Sequence, residues 1–368
     1  MPEQNGTQYE IWLQRDDGTR LAVIDSAIEF DCTRVVNNVG NFHIALPEGF
    51  DSTLAALDRR VLIWRKPVGG AMYLEFVGLI RRITSTTNTN GNTKQVISGP
   101  GLNALLAARV VAYYAGSAYA SKTAAADDMM REIVRENLGA SATDTARALP
   151  STAFSLQADY SLGPSLTKSF SYRNVLDVLR EISDAARLAG TPVYFDIEAT
   201  GAESFEFRCY LNQRGQDRTL YGPIFGLDFG NIARPTLDQD AGDECNYAYG
   251  LGQGEGEARE VQEASDTGRT GRSLYARWEA VANAVNESDP AGVLDAADAR
   301  VIDGRPVTTF TAELLSVPGA VYGKDWGFGD KITVTYAGLQ FSAIVRAVTV
   351  SVDETGRESV DSIIEAIL

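Results

Sequence analysis

Apolar and polar residues alternate along most of the first 111 residues of the chain. The first alternating run extends from Tyr9 to Leu13, and Asp17-Gly18 separates it from a second run of the same period. Two such runs joined by Asp-Gly predict a β-hairpin. Further short alternating runs surround Phe42 and Phe76. Many short strands at this spacing predict a β-barrel or a β-sandwich.

The period changes to that of a helix in the middle of the chain. Apolar residues between 121 and 138 fall near one helical face, and a second helix, with Asn174 as its cap, is predicted over residues 174–188. Two predicted strands follow, at 193–197 and 205–211. Residues 140–170 are rich in Ala, Ser and Thr, which predicts an exposed connection.

The β pattern returns after residue 212 and contains one further helix, predicted over residues 290–302 with Pro290 at an early position. Residues 263–272 have the composition of a mobile loop, and residues 273–282 are strand-like. Near the end of the chain the apolar positions change parity between Val345 and Val348. One inserted residue at Arg346 or Ala347 explains that change, so a β-bulge is predicted there.

The predicted fold class is mainly β with an α+β insertion. A first β-barrel is expected over residues 1–112, completed by about residues 213–245, and a small α/β module over residues 113–212 is inserted into it. A second β-barrel is expected over residues 246–368, with its one helix near 290–302.

Charge and composition restrict the functional classes. The chain has 368 residues and a formal net charge of -16, and it has no long Lys/Arg cluster, which disfavours binding to nucleic acid. No apolar run reaches the roughly 18 residues of a membrane span. The N-terminus lacks the basic and apolar regions of a signal peptide, so folding in a cytoplasm is expected. Cys32, Cys209 and Cys245 are widely spaced and are expected to be buried thiols.

Candidate catalytic and metal-binding residues are few. The only histidine, His43, has the opposite parity to its apolar neighbours, which predicts a surface position. Asp238, Asp240 and Gly242 match the opening of a calcium loop, but its twelfth position is Tyr249 instead of a bidentate Glu. A solvated acidic linker is the preferred interpretation. The sequence therefore predicts no catalytic residue, no metal site and no cofactor.

The most unusual stretch is glycine-rich, with glycine at positions 250, 252, 254 and 256. The spacing is not G-x-G-x-x-G, and neither a helix nor a Gly-Lys-Ser/Thr sequence follows directly, so phosphate binding is disfavoured. Glycines without a Cβ allow another backbone to approach closely. We expect this run to lie at a seam between barrels or subunits.

Four stretches together resemble the tail hub proteins of long-tailed bacteriophages, of the siphovirus type from actinobacterial hosts. They are residues 76–80 with the Gly- and Leu-rich segment 98–110, the predicted helix 174–188 leading to the strand at 193, the Asn-to-Gly stretch 246–254, and the stretch 322–334 with its Gly-Asp strand start. Each motif alone is weak. Their order along most of the chain carries the resemblance.

The resemblance implies two tail-tube-like β-barrels and an inserted α/β module in a homotrimer. The trimer would form a pseudo-hexameric ring that adapts the distal tail ring or tube to the tail tip. Implied partners are the distal tail protein ring, the tape measure protein and tail fibre or receptor-binding proteins. DNA would pass through the lumen without specific binding, and the protein would reside in the virion at the tail tip after assembly in the host cytoplasm.

The expected function is therefore structural and not enzymatic. Two alternatives stay open: a tail-associated cell-wall hydrolase, which needs a carboxylate pair or a metal set in a cleft, and a receptor- or carbohydrate-binding tail protein.

Overall fold

The computed structural model describes residues 3–4, 6–24, 29–87, 89, 91, 93–113, 120–142, 144–201, 204–285, 287, 289–315 and 317–367. The chain divides into two compact units. We call Met1–Thr236 with Phe310–Leu368 the main unit, and Leu237–Thr309 the insert unit.

Strands account for most of the regular structure. In chain order the strands are β1 (Glu3–Gln4), β2 (Thr7–Gln14), β3 (Arg20–Ile24), β4 (Glu29–Val35), β5 (Asn41–Ala45), β6 (Arg60–Lys66), β7 (Tyr73–Leu79), β8 (Arg82–Thr87), β9 (Thr93–Pro100), β10 (Ala120–Ala125), β11 (Phe154–Leu156), β12 (Ser165–Phe170), β13 (Val193–Ala199), β14 (Phe205–Leu211), β15 (Ile224–Phe225), β16 (Ile232–Asp240), β17 (Tyr247–Leu251), β18 (Val261–Ser265), β19 (Glu279–Asn283), β20 (Val307–Leu314), β21 (Lys331–Tyr336), β22 (Leu339–Val352) and β23 (Glu358–Ile367). The α-helices are α1 (Ala104–Ala107), α2 (Ala126–Asn137), α3 (Val175–Leu188), α4 (Thr267–Thr270) and α5 (Pro290–Asp303), and no helix in the described residues has the length and apolarity needed to cross a membrane.

Two large sheets form most of the β-structure of the main unit. One has the order β1-β2-β6-β7, with β3 also paired to β2, which confirms the predicted first hairpin. The other includes the path β16-β20-β23-β22-β4-β5-β9-β8, with β15 and β21 joined through β22. The mainly β character predicted from the sequence is confirmed, whereas none of the sheets in the described part of the chain closes into a barrel.

The long strand β22 joins the two ends of the chain. It pairs antiparallel with β23 on one side and with β4 on the other. The register with β23 shifts between Val345 and Ala347, which confirms the predicted bulge. The extra residue lets Val345 and Val348 both be buried although their spacing is odd.

Helices α2 and α3 pack in a common core with the small sheet β11-β14-β13. Helix α3 begins as predicted, because the Asn174 side chain accepts a hydrogen bond of 3.0 Å from the Leu176 amide. The expected helix over residues 121–138 is wrong at its start. Residues 120–125 form β10, which pairs with β12. Lys122 on this strand is 9% exposed and forms ion pairs of 2.8 and 2.9 Å with Glu132 and Glu136 of α2.

Residues 140–170 were expected to form an exposed connection, but they contain β11 and β12. Phe154 and Phe170 on these strands are buried in the core around α2 and α3. A composition rich in small polar residues concealed them, because only one face of each short strand is apolar.

The insert unit is a three-stranded sheet with one helix on it. Strand β17 lies in the centre, antiparallel to β18 and parallel to β19. Helix α5 begins after Asp289, whose side chain accepts a bond of 3.2 Å from the Ala291 amide. The predicted mobile loop at 263–272 is wrong, since these residues include part of β18 and the helix α4. Of the predicted strand at 273–282, only the part from Glu279 is a strand.

Candidate functional site

The residues considered for catalysis or metal binding do not assemble into a site. His43 is on β5 with its side chain 54% exposed, as predicted, and its Nδ1 lies 3.4 Å from Asp31 Oδ2. The Asp240 carboxylate accepts a hydrogen bond of 2.7 Å from the Gly242 amide, so it stabilises the backbone of its own turn. Among the described residues no group of three or more His, Cys, Asp or Glu is positioned to hold a metal ion.

The cysteines are buried and unpaired, as the sequence predicted. Burial raises the pKa of the Cys209 thiol to about 12, and burial also raises the pKa of Cys32 well above its usual value. Because the thiolate is the reactive form, both side chains act as apolar packing groups.

The glycine-rich stretch packs against a helix. A Cβ at Gly250 would lie 2.4 Å from the carbonyl oxygen of Val293, and one at Gly252 would lie 2.6 Å from Val293 Cγ2. Gly254 and Gly256 have φ values of +103° and +57° in the turn before β18. The predicted close approach is therefore confirmed, and its partner is α5 of the same unit. A subunit seam at this stretch stays a prediction.

A buried polar cluster links distant parts of the main unit. Arg65 on β6 is 1% exposed and donates to Glu358 Oε1 on β23 at 2.7 Å and to the Tyr322 carbonyl at 2.8 Å. Tyr9 on β2 donates to the same Glu358 carboxylate. Burial and the neighbouring Glu358 raise the pKa of Tyr9, so it stays a neutral donor. We call these residues, with Tyr73 and Glu75, the Arg65 cluster.

Sequence reasoning missed the Arg65 cluster. Arg65 shares the parity of the buried Val61 and Ile63 on β6, and that position of a charged residue is the one available signal. The pairing partner is 293 residues away, and no local pattern indicates it. The acids of the cluster are bound by Arg65 and by tyrosine hydroxyls, as in the bond of 2.7 Å from Tyr322 to Glu75, so we expect the cluster to stabilise the fold.

The main unit has one segment with several exposed apolar side chains, which we call the 220–229 segment. Tyr221 is 97% exposed, Leu220 82%, Leu227 56% and Phe229 54%. The backbone beneath them is fixed, because Asn231 donates to the Ile224 carbonyl at 2.7 Å and accepts from the Gly226 amide at 2.9 Å. Scattered apolar residues on a surface are ordinary, but a group on one ordered segment is typical of a contact surface.

The insert unit presents an aromatic sheet face. Its side toward α5 has small residues at most strand positions, including Ala248, Gly250 and Ala264. The opposite side has Tyr247 and Tyr249, with ring centroids 5.2 Å apart. We call this opposite side the tyrosine face.

Comparisons with known proteins support a phage tail fold. The structure is similar to a tail protein from Neisseria meningitidis, with TM-score 0.59, 12% identity and coverage of 97% of this chain and 96% of that one. It is also similar to the 43 kDa tail protein of prophage MuSo2 from Shewanella oneidensis, with TM-score 0.61, 11% identity and coverage of 97% and 98%. It is similar as well to prophage tail protein gp18 from Listeria monocytogenes, with TM-score 0.52, 11% identity and coverage of 96% of this chain and 94% of that one.

No curated protein matches the sequence. A protein-family model, described as Siphovirus ReqiPepy6 Gp37-like protein, matches residues 8–364, which is nearly the whole chain. The chain therefore belongs to the family of siphovirus ReqiPepy6 Gp37-like proteins.

Proposed function

We propose that this chain is a structural hub protein of the phage tail tip. In this proposal three copies form a pseudo-hexameric ring that adapts the distal tail ring or tube to the tip and surrounds the DNA exit channel. The observation that carries it is the likeness, over 96–97% of this chain, to tail proteins from three bacteria, two of them prophage proteins. The family match over residues 8–364 supports the same assignment to phage.

The proposed ring would contain two tube-like barrels per copy. We assign the first to residues 1–112 with about 213–245, the inserted module to 113–212, and the second to 246–368. The pairing of β22 with β4 links the two proposed barrels through one sheet. This link predicts that neither barrel folds alone when it is expressed as a fragment.

The 220–229 segment is the proposed contact with the next copy in the ring. Its backbone is ordered by Asn231, so docking costs little conformational entropy. Large apolar side chains contribute most when they are buried at the centre of an interface. We expect Leu227→Asp to prevent ring formation. Leu57→Asp is the matched control, because both leucines are 56% exposed.

The decisive experiment is a cryo-EM reconstruction of the tail tip together with the solution mass of the purified protein by light scattering. A ring of three copies at the tip, lost in Leu227→Asp and kept in Leu57→Asp, supports the hub. Copies located outside any threefold ring would refute it.

The net charge has a proposed role in the ring. Each copy has a formal charge of -16, and part of that charge would line the channel so that DNA passes without sticking. A neutral or basic lumen in the reconstruction would refute this role. The proposed neighbours are the distal tail protein ring, the tape measure protein and tail fibre or receptor-binding proteins, each identifiable in the same map. A clear zone in zymography on peptidoglycan would instead favour a hydrolase.

A further inference from the structure

The tyrosine face of the insert unit has side chains of three strands in register. Opposite the α5 side, Tyr249 on β17 has Glu263 of β18 on one side and Val281 of β19 on the other. Tyr247 lies in the next row, beside Glu279. Val281 is 52% exposed, so the tyrosine face includes an apolar side chain that is open to solvent.

Arg277 organises the polar groups of this face. Its guanidinium carbon lies 3.7 Å from the centre of the Tyr247 ring, and its Nη2 donates to the Tyr249 hydroxyl at 3.2 Å. Its Nε donates to Glu279 at 2.5 Å, and the Tyr247 hydroxyl donates to Glu263. A guanidinium has five N–H donors, and its partners among the described residues leave some of them at the exposed edge. Donors and acceptors are thus held close together around the Tyr247 ring.

We propose that the tyrosine face binds a neutral oligosaccharide. A pyranose ring has apolar C–H faces and a rim of hydroxyl groups, each a donor and an acceptor. Its C–H face would lie on Tyr249 and Val281, and its hydroxyls would bond Arg277, Glu263 and Glu279. The prior ordering of Arg277 by Tyr247 and Glu279 reduces the entropy lost on binding.

The size of the face favours a saccharide over a protein partner. Three strands about 4.8 Å apart and five residues long, at about 3.4 Å each, present roughly 240 Å². A stable protein interface buries about 800 Å² on each partner, more than three times that area. A short oligosaccharide needs no larger surface.

The charge of the insert unit disfavours an anionic ligand. Residues 237–309 contain 15 acidic and 6 basic residues, a formal net charge of -9. Saccharides with carboxylate or sulfate groups would be repelled by this field. On the tyrosine face itself, the positive charge of Arg277 partly compensates the negative charges of Glu263 and Glu279.

The test uses the full chain on an array of uncharged oligosaccharides of two to six hexose or N-acetylhexosamine units, beside uronic-acid and sialylated glycans. We expect binding to at least one neutral glycan, confirmed by calorimetry with that glycan. Tyr249→Ala and Val281→Asp should each raise its Kd at least tenfold. Tyr249→Phe keeps the ring and should change Kd less than threefold. The control Tyr275→Ala alters a tyrosine that is 86% exposed in the same unit but not on these strands, and Kd should stay within twofold.

Four results would overturn the proposal: no neutral glycan bound, only anionic glycans bound, Kd unchanged in both Tyr249→Ala and Val281→Asp, or Kd raised equally by Tyr275→Ala. Light scattering on the same samples separates this proposal from the hub. If Tyr249→Ala dissociates an oligomer and the wild type binds no glycan, the face is a protein interface. If the ring is intact and glycan binding is absent, only the saccharide site is refuted. Circular dichroism shows whether each variant is folded, and Val281→Asp changes an exposed position that folding tolerates.

Discussion

Replacing Arg65 by Met tests whether the Arg65 cluster stabilises the main unit. The change removes the guanidinium that compensates the Glu358 carboxylate, which is itself only 9% exposed. It also removes the donor to the Tyr322 carbonyl at 2.8 Å. Methionine fills much of the same volume, so the loss is mainly electrostatic and not a cavity.

The expected destabilisation is large because the remaining carboxylate stays buried without its cation. Removing one member of a buried ion pair costs about 3–5 kcal/mol. Tyr9 still donates to Glu358, which partly compensates, while the unpaired Tyr322 carbonyl adds about 1–3 kcal/mol. We therefore expect Arg65→Met to lower the free energy of unfolding by about 4 kcal/mol. The double variant Arg65→Met with Glu358→Met should recover about 2 kcal/mol as coupling energy.

Urea unfolding followed by tryptophan fluorescence and far-UV circular dichroism measures these changes. Lys94→Met is the control, because Lys94 and Glu29 form an ion pair of 2.8 Å with side chains 48% and 44% exposed. Such an exposed pair contributes at most about 1 kcal/mol. The reasoning is refuted if Arg65→Met destabilises no more than Lys94→Met, or if the double variant is no more stable than Arg65→Met.

Three further outcomes are expected. Burial is the largest single influence on Glu198 and opposes its charge, but Arg214, the Tyr210 hydrogen bond and Arg208 together outweigh it and lower the pKa below the ordinary 4.5. This carboxylate should therefore stabilise the fold above about pH 4.5 and lose that effect as the pH falls through the lowered pKa. Thermal stability measured from pH 3 to 7 should decline less in Glu198→Gln than in the wild type. Gly250→Ala should lower the free energy of unfolding of the insert unit in urea by about 1–3 kcal/mol, because its Cβ would lie 2.4 Å from a backbone oxygen. Gly268→Ala should change that free energy little, because the nearest atom to its Cβ would be 3.4 Å away, and equal effects of the two variants would contradict the packing argument. Cys209 should react with Ellman's reagent at pH 8 only after denaturation, because its thiol is buried with a pKa of about 12, and fast labelling of the native protein would contradict this.

Local patterns predicted the elements whose signals are local. The Asn174 cap fixed the start of α3, and the parity change located the bulge between Val345 and Ala347. The pairing of β22 with β4 joins residues more than 300 positions apart, and alternation in one strand contains no information about its neighbour. The same limit applies to Arg65 and Glu358. The parity of Arg65 indicates a buried position, and only the tertiary structure shows that it meets Glu358.

The tyrosine face shows how the usual rule for alternating strands can mislead. That rule places the larger apolar side chains inside, so it would put Tyr247, Tyr249 and Val281 in the core of the insert unit. The structure does the reverse, because α5 packs closely on the central strand β17, where a Cβ at Gly250 would lie 2.4 Å from the Val293 carbonyl oxygen. Close helix packing therefore forces the aromatic residues of β17 to the surface. Gly250 and the outward position of Tyr247 and Tyr249 on β17 therefore have one cause, and a strand alternating small with aromatic residues beside a predicted helix should be examined for a binding face on its aromatic side.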